Sequence, residues 1–398
     1  MNRPLLEVAD IIRAAGRDFI GKQGSWLTGL HRKVLFAVEH CRTAALGGHR
    51  DRCSRCGHTV GISFNSCRNR HCPKCLTNAR DKWLTARQKD LLAVQYMHVV
   101  FTIPHALSAL VLHNKKLLYT LLFQASAESL REVAADPNHL GAEVGFLSVL
   151  HTWGQNLLFH PHVHCVVPSG GLSADHQTWI HPRYRFLVPV EVLSPLFRGK
   201  FIDGLKRAFR KGKLCLPGAL QSLADDKTFR SFLRTLHENK WVVYAKPPFG
   251  GPQHVLHYLA RYTHRVAISN HRLVSFADGK VTFRWKDYAH GNQQRLMTLT
   301  ADEFLRRFLL HTLPRGFVRI RFFGFMTHRR RAALLPVCRN LLEANPQHGT
   351  PTLEPARFVK RSAWLCPLCR GAMVVIERFT AQQLYLESLK KGNFADSS

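Results

Sequence analysis

The stretch Leu158-Phe-His-Pro-His-Val-His-Cys-Val-Val167 holds three histidines within five positions and then becomes apolar. If His162–Val167 is a β-strand, the side chains of His162 and His164 point to one face and Val163 points into the core. One strand then offers two imidazoles to a single metal ion. Ordinary strand histidines are the alternative, because a chain with 24 histidines contains His-x-His patterns by chance.

Strand and helix patterns alternate on both sides of this stretch. Apolar, β-branched runs predict strands at Tyr96–Ile103, Val144–Trp153, His162–Pro168 and Trp179–Val188. Helical periodicity predicts helices at Leu107–Ala134 and Val192–Lys211. Strands mixed with helices at this spacing predict an α+β fold built on a sheet.

A second pattern is His257-Tyr-Leu-Ala-Arg-Tyr-Thr-His264. Tyr258 and Tyr262 are four residues apart, so on a helix they share one face at about 6 Å. Such a pair is usually a packing contact, but Arg261 and the flanking histidines give it a cationic setting that favours a chemical role. A tyrosine hydroxyl, with a pKa of about 10, becomes a good nucleophile only when a base or cation helps it.

Cysteines cluster in the N-terminal quarter of the chain. The turns Cys53-x2-Cys56 and Cys72-x2-Cys75 are separated by a short stretch of sequence and together predict a four-thiolate zinc site. Such a site has no open coordination position, so the zinc is expected to be structural. The residues that could replace one of these ligands, or hold a second ion, are Cys67, His71, His49 and His58.

A separate pair, Cys366-x2-Cys369, lies near the C-terminus. A lone pair of this kind is a weak signal. It is completed by His348 or Cys338, or it is simply a reduced pair.

The charge points to a polyanionic partner. The 398 residues carry 57 Lys and Arg against 26 Asp and Glu, a net charge of +31, and the pI is about 10.3. The apolar fraction of 45% excludes a disordered basic tail. The chain shows no signal-peptide pattern and no apolar run of about 18 residues, so we expect a cytoplasmic, nucleic-acid-binding protein with no membrane contact.

Two basic segments are candidate phosphate contacts. Arg68, Arg70 and Lys74 lie on the predicted zinc knuckle. The stretch Arg315–Arg331 has six arginines, no acidic residue and interleaved phenylalanines, which is typical of a single-strand groove. For the phenylalanines a buried strand is the favoured interpretation, and the triple Arg329-Arg330-Arg331 is the better phosphate contact.

Together these motifs resemble the HUH endonucleases, in which a strand with His-hydrophobic-His precedes a helix with one or two tyrosines. The ensemble looks like the two-tyrosine rolling-circle transposases of bacterial insertion sequences, with their N-terminal zinc-binding transposase domain. The resemblance covers most of the chain, through Asn65–Cys75, His151–His164, Tyr258–Tyr262 and Gly316–Arg321. It implies an HUH-type antiparallel-sheet nuclease core with helices packed on it, preceded by a helical zinc-binding domain.

The resemblance also implies a metal centre. His162 and His164 would be ligands, with His151 or Gln155 as the third, because the strand of His151 could pair antiparallel with that of His162. The ion is expected to be Mg²⁺ or Mn²⁺, although imidazoles alone favour softer ions.

By the same resemblance, the activity is that of a tyrosine DNA endonuclease and strand transferase. Tyr258 and Tyr262 would attack DNA phosphates, form 5′-phosphotyrosine links and release 3′-hydroxyl ends. Single-stranded element termini and target DNA would be the substrates, in a bacterial, nucleoid-associated protein; the sequence leaves the oligomeric state open.

The sequence predicts three consecutive domains. Residues 1–95 form a helical and zinc-binding DNA-recognition domain, residues 96–300 the catalytic domain, and residues 301–398 a basic DNA-binding region. Two other hypotheses stay open: a non-catalytic zinc-dependent nucleic-acid-binding protein, and a metal-dependent nuclease in which the ion activates water.

Overall fold

The computed structural model describes residues 4–75, 83–182, 189–246, 267–287, 290–344 and 365–392. Its α-helices include α1 (Val8–Lys22), α2 (Gly29–Glu39), α3 (Ser108–His113), α4 (Lys115–Ala135), α5 (Val190–Arg210), α6 (Asp226–Glu238), α7 (Ala301–Leu310), α8 (His328–Ala344) and α9 (Ala381–Gly392). Its strands are β1 (Gly48–Cys53), β2 (Ser63–Phe64), β3 (Tyr96–Thr102), β4 (Phe146–Trp153), β5 (Phe159–Pro168), β6 (Gly171–Leu172), β7 (Trp179–Ile180), β8 (Val243–Lys246), β9 (Leu273–Ala277), β10 (Lys280–Asp287), β11 (Gln293–Thr300), β12 (Ile320–Phe323) and β13 (Met373–Phe379).

The chain divides into two compact units, each made of several segments. The first, here called the sheet unit, comprises Leu84–Thr263 and Leu313–Ala356. The second, here called the cysteine unit, comprises Met1–Trp83, His264–Thr312 and Arg357–Ser398. Each unit is described by itself.

The sheet unit is built on a five-stranded antiparallel sheet in the order β12-β4-β5-β3-β8. The three central strands are buried along nearly their whole length, which explains why they are continuous apolar runs rather than alternating ones. Helices α4 and α5 pack against each other and on this sheet. The predicted α+β class with antiparallel sheets is confirmed.

Aromatic side chains fill the space between the sheet and its helices. Phe101 of β3 meets Phe197 of α5 edge to face at 5.1 Å between ring centroids, and Trp241 lies 5.2 Å from the same Phe197 ring. At the other edge, Phe146 of β4 stacks on Phe323 of β12 at 5.4 Å. Each such buried ring contributes about 1.5–3 kcal/mol to stability, so the aromatic side chains form a core on this face of the sheet.

The helix predicted at Leu107–Ala134 is two helices. They meet at Asn114, a buried residue whose amide donates to the Leu110 carbonyl at 2.9 Å and to the Cys215 carbonyl at 2.8 Å. Its side-chain oxygen accepts from the Cys215 backbone at 2.8 Å. These hydrogen bonds satisfy backbone groups near the helix break and so stabilise it. Because they depend on the distant residue Cys215, apolar periodicity alone does not detect the break.

The cysteine unit contains helices and two small sheets. Helix α1 packs on α2 and on α7. One sheet has the order β11-β10-β9, in which β9 and β10 form an antiparallel hairpin, and the other has the order β13-β1-β2. Strand β13, in the C-terminal quarter of the chain, therefore pairs with a strand from the N-terminal quarter.

These units differ from the three consecutive domains predicted from the sequence. Residues 267–287 and 290–300 belong with the N-terminal helices rather than with the five-stranded sheet. Strand β12 of the basic region pairs with β4, so it extends the five-stranded sheet instead of forming a separate region. A division into consecutive segments does not match the two units, because strands that are far apart in sequence pair within each unit.

The strand predicted at Trp179–Val188 is limited to β7, which pairs with β6, and residues 183–188 lie outside the described part. Among the described helices, none combines the length and apolar character needed to cross a bilayer.

Candidate metal centres

Three histidines lie close together on the face of the sheet opposite the aromatic core. In the antiparallel pairing of β4 with β5, His151 is directly opposite His162, and Val149 is opposite His164. One ring nitrogen each from His151, His162 and His164 lies within 4.8 Å of the others. The strand register therefore supplies His151 as the third member of the group, whereas the alternative, Gln155, lies in the turn between the two strands.

A hydrogen bond fixes how the His162 ring is presented. His162 Nδ1 lies 2.7 Å from the backbone carbonyl of His160. A carbonyl oxygen can only accept, so Nδ1 carries the proton and Nε2 of His162 keeps a lone pair. This is the usual arrangement of a metal-binding imidazole, in which the second ring nitrogen donates to a neighbouring group.

His98 of β3 is a member of this site that the sequence did not reveal. Its Nε2 lies 2.7 Å from Nδ1 of His164, and the two rings are parallel, with centroids 5.0 Å apart. In the pairing of β3 with β5, Val100 lies opposite His164. His98 is two residues before Val100, so it points to the same face of the sheet as His164. The signal was present as a single His inside the apolar run Tyr96–Ile103, but nothing local links it to His164.

The histidines are held in their neutral form. Burial, with a smaller effect of His160, lowers the pKa of His162 to about 4. Burial and then the neighbouring His151 hold the pKa of His164 well below its usual value. Neutral imidazole is the form that binds metal ions, so this group is ready for an ion at neutral pH.

The donor set fits a metal ion with open coordination positions. Three imidazoles leave at least one position for water or substrate, as in catalytic rather than structural sites. Within the described residues, no carboxylate belongs to this group. The predicted nucleophiles Tyr258 and Tyr262, together with Arg261, lie outside the described residues.

The cysteines form two groups of four rather than the single set expected. Cys53 and Cys56 group with Cys366 and Cys369, whereas Cys72 and Cys75 lie in the other group. The pairing of β1 with β13 explains the difference, because it carries the C-terminal pair to the N-terminal one.

The second group consists of Cys41, Cys67, Cys72 and Cys75. The Sγ atom of Cys75 is 3.4 Å from that of Cys41 and 3.6 Å from that of Cys67. Cys41 just follows α2 and forms no Cys-x2-Cys turn, so the sequence offered no signal for it. Cys67, a possible substitute in the sequence, is a full member.

The thiols of this second group differ in pKa. The Cys67 side chain lowers the pKa of Cys41 to about 7, and a contact with the Cys41 sulfur holds the pKa of Cys75 well below that of an ordinary thiol. The same neighbour raises the pKa of Cys72. Four thiols at this distance cannot all ionise without a cation among them, which is the condition that Zn²⁺ satisfies.

The histidines considered as zinc ligands have other partners. His71 hydrogen-bonds to Asn69 at 3.1 Å, and His49 Nε2 lies 3.4 Å from an Asp51 carboxylate oxygen. Neither these two nor His58 belongs to a cysteine group. For Cys366 and Cys369, the expected partner Cys338 is instead buried in α8, and His348 lies outside the described residues.

The predicted phosphate contacts differ in how free their charges are. Lys74 forms a nearly buried ion pair with Glu7 at 2.5 Å. Arg330 binds both carboxylate oxygens of Glu143, and Arg331 lies 3.2 Å from Asp90. Of the remaining three arginines, Arg68 and Arg329 are exposed and Arg70 is half-buried.

Two of the phenylalanines near these arginines belong to the core. Phe317 and Phe325 are buried, and the Arg321 guanidinium lies over the Phe123 ring at 4.4 Å. Packing therefore accounts for these two rings, whereas Phe322 and Phe323 are half-buried. This agrees with the favoured interpretation of the sequence.

An antiparallel sheet with a histidine centre, four-cysteine groups and a strongly basic chain is typical of a metal-binding protein that acts on nucleic acid. Two family models match this chain: "Transposase zinc-binding domain" matches residues 11–103, and "Putative transposase" matches residues 145–333. The histidine centre falls in the second range.

Full-length relatives agree. The chain is 52% identical over 381 residues to "Putative transposase y4qJ" of Sinorhizobium fredii (strain NBRC 101917 / NGR234), covering 94% of this chain and 95% of that protein. It is 29% identical over 367 residues to "Transposase for insertion sequence element IS801" of Pseudomonas savastanoi pv. phaseolicola, covering 87% and 84%. No solved structure matches the chain.

The chain belongs to this family of transposases. The prediction of an insertion-sequence transposase is thereby confirmed, and a rolling-circle mechanism follows from the family. DNA binding and structural zinc are likewise supported, the latter by the four-cysteine groups.

Proposed function

We propose that this transposase nicks and rejoins single-stranded DNA through tyrosine, beside a metal ion held by His151, His162 and His164. The observation that carries the proposal is the presentation of the imidazoles. Three rings from two paired strands converge within 4.8 Å, and the His160 carbonyl fixes the tautomer of His162 so that its Nε2 is available. A packing histidine needs no such convergence of neutral rings.

Tyr258 and Tyr262 are the proposed nucleophiles, by the resemblance of their spacing to the two-tyrosine enzymes. A tyrosine oxygen attacks the phosphorus, the bond from phosphorus to the 3′ oxygen breaks, and the departing 3′ oxygen takes up a proton. The 5′-phosphotyrosine bond keeps the energy of the broken phosphodiester. Rejoining is the reverse attack by a 3′-hydroxyl and needs no nucleotide cofactor.

The ion is proposed to be Mn²⁺ or Mg²⁺. When bound, it polarises the scissile phosphate and neutralises developing charge. An all-imidazole set favours Mn²⁺ over Mg²⁺, because Mg²⁺ prefers oxygen ligands. The protein's own part is to keep His162 and His164 neutral and to orient the three rings.

DNA contacts are proposed at the basic residues whose charges are accessible. Arg68 and Arg329 are exposed, and Arg261 accompanies the tyrosines in the sequence. Lys74, Arg330 and Arg331 are already paired with carboxylates, and Arg70 is half-buried, so these four are not among the principal proposed contacts. Element termini and target DNA in single-stranded form are the proposed substrates, within the bacterial cytoplasm at the nucleoid.

A covalent-capture assay tests the proposal. A labelled single-stranded element terminus is incubated with the protein and Mn²⁺ and run on a denaturing gel. We expect a protein–DNA band that disappears in the Tyr258→Phe/Tyr262→Phe variant and persists in Tyr385→Phe, a control at an exposed tyrosine of α9. The His162→Ala/His164→Ala variant should bind DNA without cutting it.

A second function, hydrolysis by a metal-activated water, is favoured by one observation. Three-histidine sites with an open position are also the type that activates water. In that case the same gel shows cleaved DNA with no covalent band, and the double tyrosine variant still cuts. DNA binding without any cleavage would instead support a non-catalytic binding protein.

A further inference from the structure

Two Cys-x2-Cys turns of the cysteine unit have the same pattern of backbone hydrogen bonds, although one lies in the N-terminal quarter of the chain and the other in the C-terminal quarter. In the first, the N–H of Gly57 donates to the Cys53 carbonyl at 3.2 Å. In the second, the N–H of Arg370 donates to the Cys366 carbonyl at 2.9 Å. In each turn, therefore, the residue after the second cysteine bonds back to the first.

The equivalence extends to the flanking residues. Each first cysteine donates its own N–H to the carbonyl five positions on, Cys53 to His58 and Cys366 to Gly371, both at 2.8 Å. The residue before each first cysteine forms a β-bridge seven positions on, Arg52 with Thr59 and Leu365 with Ala372.

A left-handed residue ends each turn in the same place. Gly57 has φ +71° and Arg370 has φ +57°. Glycine takes this conformation readily, but an arginine does so only when its surroundings require it. Arg370 therefore takes the same left-handed position as Gly57, although its side chain makes this conformation less favourable.

The two knuckles face each other. Cys53 Sγ lies 3.4 Å from Cys369 Sγ, and Cys56 Sγ lies 3.6 Å from Cys366 Sγ. The edge of a tetrahedron of sulfurs around Zn²⁺ is about 3.8 Å when each Zn–S bond is about 2.3 Å. A disulfide requires about 2.05 Å, so these spacings match a shared ion better than covalent pairs.

Backbone donors point at the sulfurs as well. The N–H groups of Arg55 and Cys56 donate to Cys53 Sγ at 3.4 and 3.5 Å, and that of Gly371 donates to Cys369 Sγ at 3.4 Å. Such bonds stabilise thiolate ligands and orient them. Gly371 also permits the close approach, because a Cβ at its position would lie 3.0 Å from Cys53 Sγ.

We propose that Cys53, Cys56, Cys366 and Cys369 bind a structural Zn²⁺ of their own, separate from the ion of the Cys41 group. This site fastens the returning C-terminal segment, Leu365–Phe379, to strand β1. Both family models end before Cys366, so neither assigns the second knuckle.

The ion adds to a limited set of other contacts. Strand β13 pairs with β1 over six positions, but Val374, Val375 and Ile376 are each more than 40% exposed. Arg50 and Glu377 form an exposed ion pair, which contributes little. Without the metal, the pairing depends on these strand hydrogen bonds, on the buried Phe379 and on the packing of α9 against residues 44–46.

Cobalt substitution of the full-length protein tests the site. Thiolate-bound Co²⁺ has an intense charge-transfer absorption, which the histidine centre cannot produce. We expect two thiolate-bound Co²⁺ per chain, and one in the Cys366→Ser/Cys369→Ser variant. Cys215→Ser, at an exposed cysteine outside both groups, should keep two.

Hydrogen exchange provides a second measurement that does not depend on a variant. Chelation of zinc in the wild-type protein should increase exchange at residues 373–379 and leave residues 146–168 protected. One thiolate-bound Co²⁺ in the wild-type protein, or two in Cys366→Ser/Cys369→Ser, would overturn the proposal. Unchanged protection of residues 373–379 after verified removal of both ions would overturn the fastening role.

Discussion

Replacing His98 by alanine should weaken metal binding at the histidine centre without removing a ligand. The neutral, metal-ready form of His164 donates from Nδ1 to His98 Nε2, which lies 2.7 Å away. Both side chains are buried, with 5% and 7% exposure, so water cannot easily replace the lost acceptor. His98 is thus a positioning residue that acts through the tautomer of His164.

The magnitude follows from this hydrogen bond. A buried donor that loses its partner costs about 1–3 kcal/mol, and partners of metal-binding imidazoles typically contribute about 10–100-fold in affinity. We therefore expect Mn²⁺ affinity to fall about 10–100-fold in His98→Ala. His98→Gln retains an acceptor oxygen and should recover part of the loss.

The assay is a Mn²⁺ titration followed by electron paramagnetic resonance, with nicking measured across the same concentrations. His98→Ala should need more Mn²⁺ but reach nearly the wild-type rate at saturation, and His113→Ala, at an exposed histidine of α3, is the control. Wild-type affinity in His98→Ala would refute the positioning role. A rate that saturating Mn²⁺ does not restore would show that His98 acts in another way.

Three further predictions follow. Burial lowers the pKa of His162 to about 4, below the value of about 6.5 in the unfolded chain. The stability that depends on neutral His162 is therefore complete above pH 6.5 and is lost as the pH falls towards 4. Urea unfolding at several pH values should show a smaller loss of stability in His162→Ala than in the wild-type protein. Arg329→Ala should reduce the slope of log affinity against log salt for single-stranded DNA by about 0.7, measured by fluorescence anisotropy, whereas Arg330→Ala should leave the slope nearly unchanged because Glu143 already binds Arg330. Trp241→Ala should lower the free energy of unfolding by about 3–5 kcal/mol, because the ring is buried against Phe197 and donates to the Leu236 carbonyl at 2.9 Å, and Tyr244→Ala at an exposed position should change it far less.

The sequence predicted those parts of the fold and site that depend on local pattern. A run of apolar and β-branched residues fixes a strand, and a period of two places His162 and His164 on one face. The Cys-x2-Cys turns are local too, so the sequence predicts them as metal-binding turns. Residues that join a site only through long-range strand pairing or packing are not predictable from local pattern, and His98 and Cys41 carry no periodic or spacing signal.

The cysteine grouping shows why proximity in sequence misled. Cys53/Cys56 and Cys72/Cys75 are neighbouring turns in the sequence, so joining them into one site required the shortest loop. The structure instead joins Cys56 to a cysteine 310 residues away. A long loop costs only slightly more entropy than a short one, so strand pairing, not sequence distance, decides which thiols meet.

The charge of +31 is also distributed differently from what a count suggests. In the triple Arg329-Arg330-Arg331, two guanidiniums bind Glu143 and Asp90 within the sheet unit. Burial alone would raise the pKa of Glu143, but the hydrogen bonds from Arg330 bring it below its usual value, so the pair is charged and locally neutral. In this run, Arg330 and Arg331 bind α8 to carboxylates of the sheet unit, and the exposed Arg329 is the one proposed to contact phosphate. Charge density in the sequence is therefore a poor guide to candidate DNA contacts, because the carboxylate neighbours of each arginine have to be known as well.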